Sequence, residues 1–214
     1  MTISTTLLVI AKEPLPGRVK TRLTPPFTPD EAARLAEAAL TDTLQAVLAT
    51  PADRRVLVLA GASGPWLPPG FEVAEQCAGG LDERLAAAFA LAPGPALLIG
   101  IDTPQVTPEL LARGMEFTAT DAWFGPADDG GFWALGLAVP DPELLRGVPM
   151  STSYTGAVQR RRLTVAGLTV CDLPALRDVD TAADAAVVAA QIPHSRFGAL
   201  HTELTTDRAG AGAR

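Results

Sequence analysis

A chain of 214 residues fits one domain of moderate to large size and can bury an apolar core without disulfides or structural metal. Hydrophobic residues make up 48% and charged residues 19%, the balance of an ordinary globular enzyme rather than of a disordered chain. A net charge of -7 and a pI near 4.8 argue against an extended nucleic-acid surface, and they leave room for a small anionic ligand only where positive charge is gathered locally.

The apolar run Leu7 to Ala11 predicts a strand buried on both faces, as in a parallel sheet. A loop rich in proline, glycine and basic residues follows, from Lys12 to Pro26. Thr28, Pro29 and Glu31 supply a cap, a first-turn proline and a capping box for a helix running to about Ala49. Arg55 to Ala60 predicts a second strand, Phe71 to Val73 a short one, and Leu81 to Leu91 a helix. Ala96 to Ile101 predicts a strand with Asp102 at its carboxyl end, and Thr107-Pro108-Glu109 opens another helix. Strands are predicted at Ala122 to Pro126 and Phe132 to Leu137, around the turn Asp128-Asp129-Gly130-Gly131. A helix near Thr155 to Leu163, a strand at Leu168 to Cys171 and a helix from Thr181 to Ala190 complete the alternation. Residues 1–194 form one expected domain, and the polar segment 195–214 is expected to be a frayed tail.

Alternating strands and helices predict an α/β fold with a mostly parallel central sheet covered on both sides. Ligands in such sheets bind outside the carboxyl ends of the strands. The loop after Ala11, Asp102 and the Asp128–Gly131 turn should therefore share one edge.

That loop holds Lys12, Arg18, Lys20 and Arg22 in an otherwise acidic chain. Gly17 lets backbone amides approach phosphate oxygens, arginine offers bidentate contacts, and lysine adds a compact charge. The alternative is a solvated basic loop. Neither the Walker A spacing nor the dinucleotide glycine fingerprint is present. Asp102 suits Mg²⁺, which takes one or two carboxylates with substrate phosphates and waters, or it caps a turn. Asp129 with Gly130 and Gly131 suits a close backbone approach to ligand, or a plain hairpin. Asp180 suits a metal or substrate contact, or capping of the last helix. Ser151 and Thr152 are hydroxyl-rich and can equally cap the helix that follows. Cys77 and Cys171 lack zinc or redox spacing, and neither His194 nor His201 sits in a catalytic pattern.

Taken together, the basic loop Gly17-Arg18-Val19-Lys20-Thr21-Arg22-Leu23, Gly100-Ile101-Asp102-Thr103-Pro104, Gly125 to Phe132, and Asp178-Val179-Asp180-Thr181 resemble a bacterial family within the nucleotide-diphospho-sugar transferase superfamily. Its members are described as glycosyltransferases by assignment. The resemblance spans about residues 6 to 192 and extends to 2-phospholactate guanylyltransferases and molybdenum-cofactor nucleotidyltransferases. It implies a Rossmann-like, three-layer α/β/α glycosyltransferase A fold with a nucleotide half and an acceptor half.

The resemblance also implies roles. Arg18, Lys20 and Arg22 would contact the phosphates, with Ala11, Gly17, Gln76 and Arg84 completing the nucleotide side. Asp102 and Asp180 would hold Mg²⁺ or Mn²⁺. Asp129 would lie on the acceptor side with Gly130, Gly131, Ser151 and Thr152; if the transfer inverts, Asp129 is the candidate general base, and Lys20 is the second candidate catalytic residue. Met150 and the pair Phe132-Trp133 depart from the family's usual tryptophan and tyrosine-led pair. The expected activity is sugar transfer from a nucleotide-diphosphate sugar to a small acceptor. The alternative is transfer of a nucleoside monophosphate from a triphosphate to a small phosphate or phosphonate acid. A third reading is a non-catalytic nucleotide-binding protein. No apolar run approaches the ~20 residues needed to span a bilayer, and Met1 to Thr6 lacks the basic region of a secretion signal, so the expected location is the cytoplasm.

Overall fold

The strand predicted from the first apolar run forms as β1 (Thr6–Lys12), at the centre of the sheet. The computed structural model describes residues 5–212. Leu7, Val9 and Ala11 point to one face of the sheet and Leu8 to the other, the period-two alternation of a strand covered on both sides. Leu7, Leu8 and Val9 are all 0% exposed, and burying each stabilises the fold by roughly 1.5–3 kcal/mol.

Six further strands join it: β2 (Arg54–Ala60), β3 (Glu72–Glu75), β4 (Ala96–Ile99), β5 (Ala122–Pro126), β6 (Phe132–Leu137) and β7 (Val170–Asp172). Their order is β3-β2-β1-β4-β6-β5-β7. Neighbours β3, β2, β1 and β4 run parallel, and β5 pairs parallel with β7. β6 lies antiparallel between β4 and β5. The sheet is thus mostly parallel, as the alternation implied, with β6 as its reversed member. Because β6 reverses direction, the carboxyl ends of β1, β4, β5 and β7 all open on one edge.

Helices α1 (Pro29–Ala49) and α3 (Pro108–Arg113) cover one face through Leu40, Leu44, Val47 and Leu111. Helices α2 (Leu81–Phe89) and α4 (Thr155–Val165) cover the other through Leu85, Phe89 and Leu163. The capping box read at Thr28 is formed: Glu31 N donates to Thr28 Oγ1 and Thr28 N to the Glu31 carboxylate.

Helix α5 (Ala182–Gln191) and helix α6 (Arg196–Gly212) pack on the outer side of α1. The segment expected to fray beyond Ser195 is therefore helical from Arg196 to Gly212; Ala213 and Arg214 lie outside the described residues. Phe197, Leu200 and Leu204 recur at helical spacing and pack with Leu35, Ala39 and Val188, which offsets the helix-poor Gly-Ala stretch after them.

Candidate functional site

The loop after β1 ends in a tight turn that determines where its basic side chains go. Lys20 has φ 48° and ψ 37°, in the left-handed region, and starts a short 3₁₀ turn, Thr21–Leu23, whose Leu23 is fully buried. The turn drives the Lys20 side chain inward, where it is only 8% exposed. Its ammonium donates to the Asp102 carboxylate and to the Val179 carbonyl. Val179 N in turn donates to the Asp102 carbonyl at 2.7 Å. One lysine therefore ties together three segments distant in sequence: the basic loop, the loop after β4 and the stretch before α5. Arg22 lies outside it, 77% exposed, with Nη1 3.3 Å from the Asp180 carboxylate.

These groups line a cleft of about 800 Å³ at the predicted sheet edge. Ala11, Arg18, Lys20, Arg22, Gln76, Arg84, Asp102, Asp129, Gly131, Ser151, Thr152 and Asp180 all contribute to its wall. Two expected residues stand apart. Gly17 lines a smaller pocket under the basic loop, with Thr24 and Pro29. Gly130 supports the wall from behind: it has φ 89°, and a Cβ there would lie 2.0 Å from the Ser153 carbonyl. Its own carbonyl accepts from Gly156 N at 2.8 Å, which locks the Asp129 turn onto the start of α4.

On the nucleotide side, the Gln76 amide donates to Ala11 O at 2.6 Å and Val58 O at 3.0 Å. The Ala11 carbonyl is thus already engaged. Arg84 Nε donates to Gly79 O at 3.1 Å. Lys12, Arg18 and Arg84 have no carboxylate partner among the described residues.

Opposite them stands a carboxylate wall. Asp129 accepts from Gly131 N at 2.7 Å, an arrangement that fixes its rotamer. Asp129, Asp178 and Asp180 each present a carboxylate oxygen within 4.8 Å of the other two. Asp178 did not stand out in the sequence. Its Oδ1 is shut off from solvent and has no hydrogen-bond partner among the described residues. Burial, and then the negative charges of Asp129, Asp180 and Asp102, push its pKa up to about 6. A partnerless buried oxygen among three carboxylates has the donor chemistry a hard divalent cation takes, so the triad can bind a metal. Asp102, expected as a ligand, is instead engaged by Lys20.

Behind this wall Arg177 reaches Asp128 at 3.2 Å and Asp184 at 3.1 Å, bracing the Asp178–Asp180 segment from both sides. The signal for Asp178 and Arg177 was the dense charge of Arg177-Asp178-Val179-Asp180, which reads equally well as a capping segment. His201 is buried against Phe27 and Phe197, and His194 lies outside the cleft.

The arrangement offers cations for phosphate oxygens, carboxylates for a cation or a proton, and hydroxyls of Ser151, Thr152 and Ser153 on the far wall. Among the described residues, no helix is long and apolar enough to cross a membrane.

The chain is similar to solved structures along nearly its whole length. A protein from Desulfovibrio desulfuricans G20, titled a putative nucleotide-diphospho-sugar transferase, is 28% identical, with a TM-score of 0.85 over 94% of this chain and 95% of that one. A nucleotidyl transferase from Methanothermobacter is 18% identical, with a TM-score of 0.54 over 85% and 94%. CMP:2-keto-3-deoxy-manno-octonic acid synthetase, solved with CTP, is 12% identical, with a TM-score of 0.52 over 88% and 98%. The fold is therefore the one shared by nucleotide-diphospho-sugar transferases and nucleotidyltransferases. No curated protein matches the chain by sequence. A family described as an uncharacterized protein conserved in bacteria, DUF2064, matches residues 34–152, more than half of the sequence, and the chain belongs to that family.

Proposed function

We propose that this protein is a metal-dependent transferase that takes a sugar from a nucleotide-diphosphate sugar and passes it to a small acceptor. The observation that carries the proposal is the division of one cleft between cations, from Lys12 to Arg84, and carboxylates, from Asp102 to Asp180. A similarity of 28% identity over 94% of the chain to the Desulfovibrio protein supports it.

In this reading Arg18, Arg22 and Lys20 bind the diphosphate, with Arg84 and Gln76 on the nucleoside side. Lys20, rigid and largely desolvated, stabilises charge that develops on the leaving diphosphate without reorganising. Asp129, oriented by Gly131 N, takes the proton of the acceptor hydroxyl in an inverting transfer. Asp180 and Asp178 would hold Mg²⁺ or Mn²⁺, while Lys20 stays on Asp102. The ion would supply Lewis-acid charge stabilisation. The proposed compartment is the cytoplasm.

Arg18, Lys20 and Arg22 would also suit a triphosphate, so nucleotidyl transfer is the second reading. The test is incubation of the full chain with labelled nucleotide sugars, and separately with nucleoside triphosphates, each with Mg²⁺ or Mn²⁺. Release of nucleoside diphosphate from the sugar donors is expected. Pyrophosphate release from triphosphates would select the second reading. A chain that binds nucleotides but turns over neither set, with binding indifferent to metal, would reject both.

A further inference from the structure

The two walls of the cleft differ in a way that speaks to the acceptor. Every lysine and arginine lining it, Lys12, Arg18, Lys20, Arg22 and Arg84, precedes residue 85. From Gly100 onward the lining contains four carboxylates, a group of hydroxyls and, among the described residues, no lysine, arginine or histidine. Resting on the transferase reading above, we infer that the acceptor is a neutral or cationic hydroxyl compound and not a phosphate or carboxylate.

Three routes by which this wall could hold an anion are restricted by the structure. The first is a nearby cation. Arg84 sits on α2, which approaches this side where Asp82 accepts from Gly147 N at 2.7 Å; its Nε donates to the Gly79 carbonyl, and the proposed function assigns its remaining N–H groups to the nucleotide. Arg177, behind the wall, is spent on Asp128 and Asp184. The second is the amino end of α4, since free helix amides attract anions. Here Thr155 N donates to Thr152 O at 3.1 Å and Gly156 N to Gly130 O at 2.8 Å. The third is surplus positive charge from a bound cation. Lys20 and Arg22 already face Asp102 and Asp180, so a single divalent ion brings the four carboxylates only to balance.

What remains suits an alcohol. Ser151 and Ser153 are exposed, and neither side-chain hydroxyl has a partner among the described residues. Phe132 and Met150 add apolar surface, and the Trp133 indole N–H is committed to Pro174 O at 3.0 Å. A protonated amine on the acceptor would gain from Asp129, whereas a phosphate would meet like charge.

The test uses the full chain and three probes of one skeleton: glucose, glucosamine and glucose 6-phosphate. The donor wall is first filled with UDP or GDP and MnCl₂; failure of both to bind counts against the transferase reading alone. Glucose 6-phosphate is then titrated by calorimetry. The same titration on Arg18→Ala/Arg22→Ala protein without nucleotide reads the acceptor wall independently of the donor. No saturable binding is expected in either case, and Ser151→Lys is expected to create it. In turnover, glucose and glucosamine should accelerate nucleoside diphosphate release at least about tenfold more than glucose 6-phosphate does. Saturable binding of glucose 6-phosphate to the nucleotide-filled protein, or the reverse order of acceleration, would overturn the inference.

Discussion

The cationic and carboxylate walls differ in rigidity as well as in sign. Lys12, Arg18 and Arg84 reach the cleft on long side chains with no carboxylate partner among the described residues, and Arg22 is 77% exposed. Arg22 faces Asp180 at 3.3 Å and Arg84 Nε donates to the Gly79 carbonyl, but Lys20 is the one buried, at 8% exposure, between Asp102 and Val179. The carboxylate wall is braced throughout: Asp129 by Gly131 N, Asp178 by burial, and the segment around Asp180 by Arg177 and the cap of α5. A mobile cationic wall can close on a flexible diphosphate after it arrives. A rigid acidic wall suits groups whose geometry must be right beforehand. Lys20 is the joint between them.

The strongest way to break this contrast is Lys20→Met. It removes the ammonium from Asp102 and from the developing charge together. Turnover should fall about 10²- to 10³-fold, the scale on which losing one preorganised charge-stabilising donor acts. Steady-state nucleoside diphosphate release checks this, and a variant within a few-fold of wild type would mean that the two walls work without their joint.

Gly130→Ala attacks the rigid wall directly. Its Cβ would lie 2.0 Å from the Ser153 carbonyl at a φ of 89°. A loss of about 2–3 kcal/mol is expected in urea unfolding. In the folded fraction, KM for the acceptor should rise more than KM for the donor.

Thr181→Ala is milder. Thr181 Oγ1 accepts from Asp184 N, while the Asp184 carboxylate accepts from Thr181 N. Losing this capping box should cost about 1 kcal/mol of stability by calorimetry. The metal concentration needed for half-maximal turnover should rise, because the cap steadies Asp180.

The smallest effect lies away from both walls. Burial between Phe27 and Phe197 holds the His201 pKa below its ordinary value of 6.5. Above 6.5 the imidazole is neutral in both the folded and unfolded chain. As pH falls below 6.5 the unfolded chain takes the proton first, so stability drops until the buried ring itself protonates. The melting temperature should fall over that window, and less steeply in His201→Phe.

Much of this was legible in the sequence because it rests on local chemistry. The capping box at Thr28 and the apolar run of β1 declare themselves within a few residues. The sheet edge followed from strand–helix alternation, and that edge gathered the basic loop, Asp102 and Asp129. The reversal of β6 was not legible, because a buried strand shows the same apolar run in either direction. Asp178 escaped notice because what sets it apart is burial beside three other carboxylates, a tertiary fact. The engagement of Asp102 by Lys20 depends on a left-handed turn at Lys20 that no local motif announces. Helix α6 was misread because the Gly-Ala composition after Leu204 masked the spacing of Phe197, Leu200 and Leu204.

Under the proposed function the donor's phosphates sit on the wall built before residue 85, and the wall beyond Gly100 supplies the metal's carboxylates and the acceptor side. Calorimetric titration of UDP and GDP, with and without Mn²⁺, against wild type, Arg18→Ala/Arg22→Ala and Ser151→Ala tests this division most directly. Metal-strengthened binding should be lost by about tenfold or more in the double arginine variant, the scale of removing charge-assisted phosphate contacts, and kept in Ser151→Ala. Equal affinity in wild type and the double variant, or a loss confined to Ser151→Ala, would contradict it.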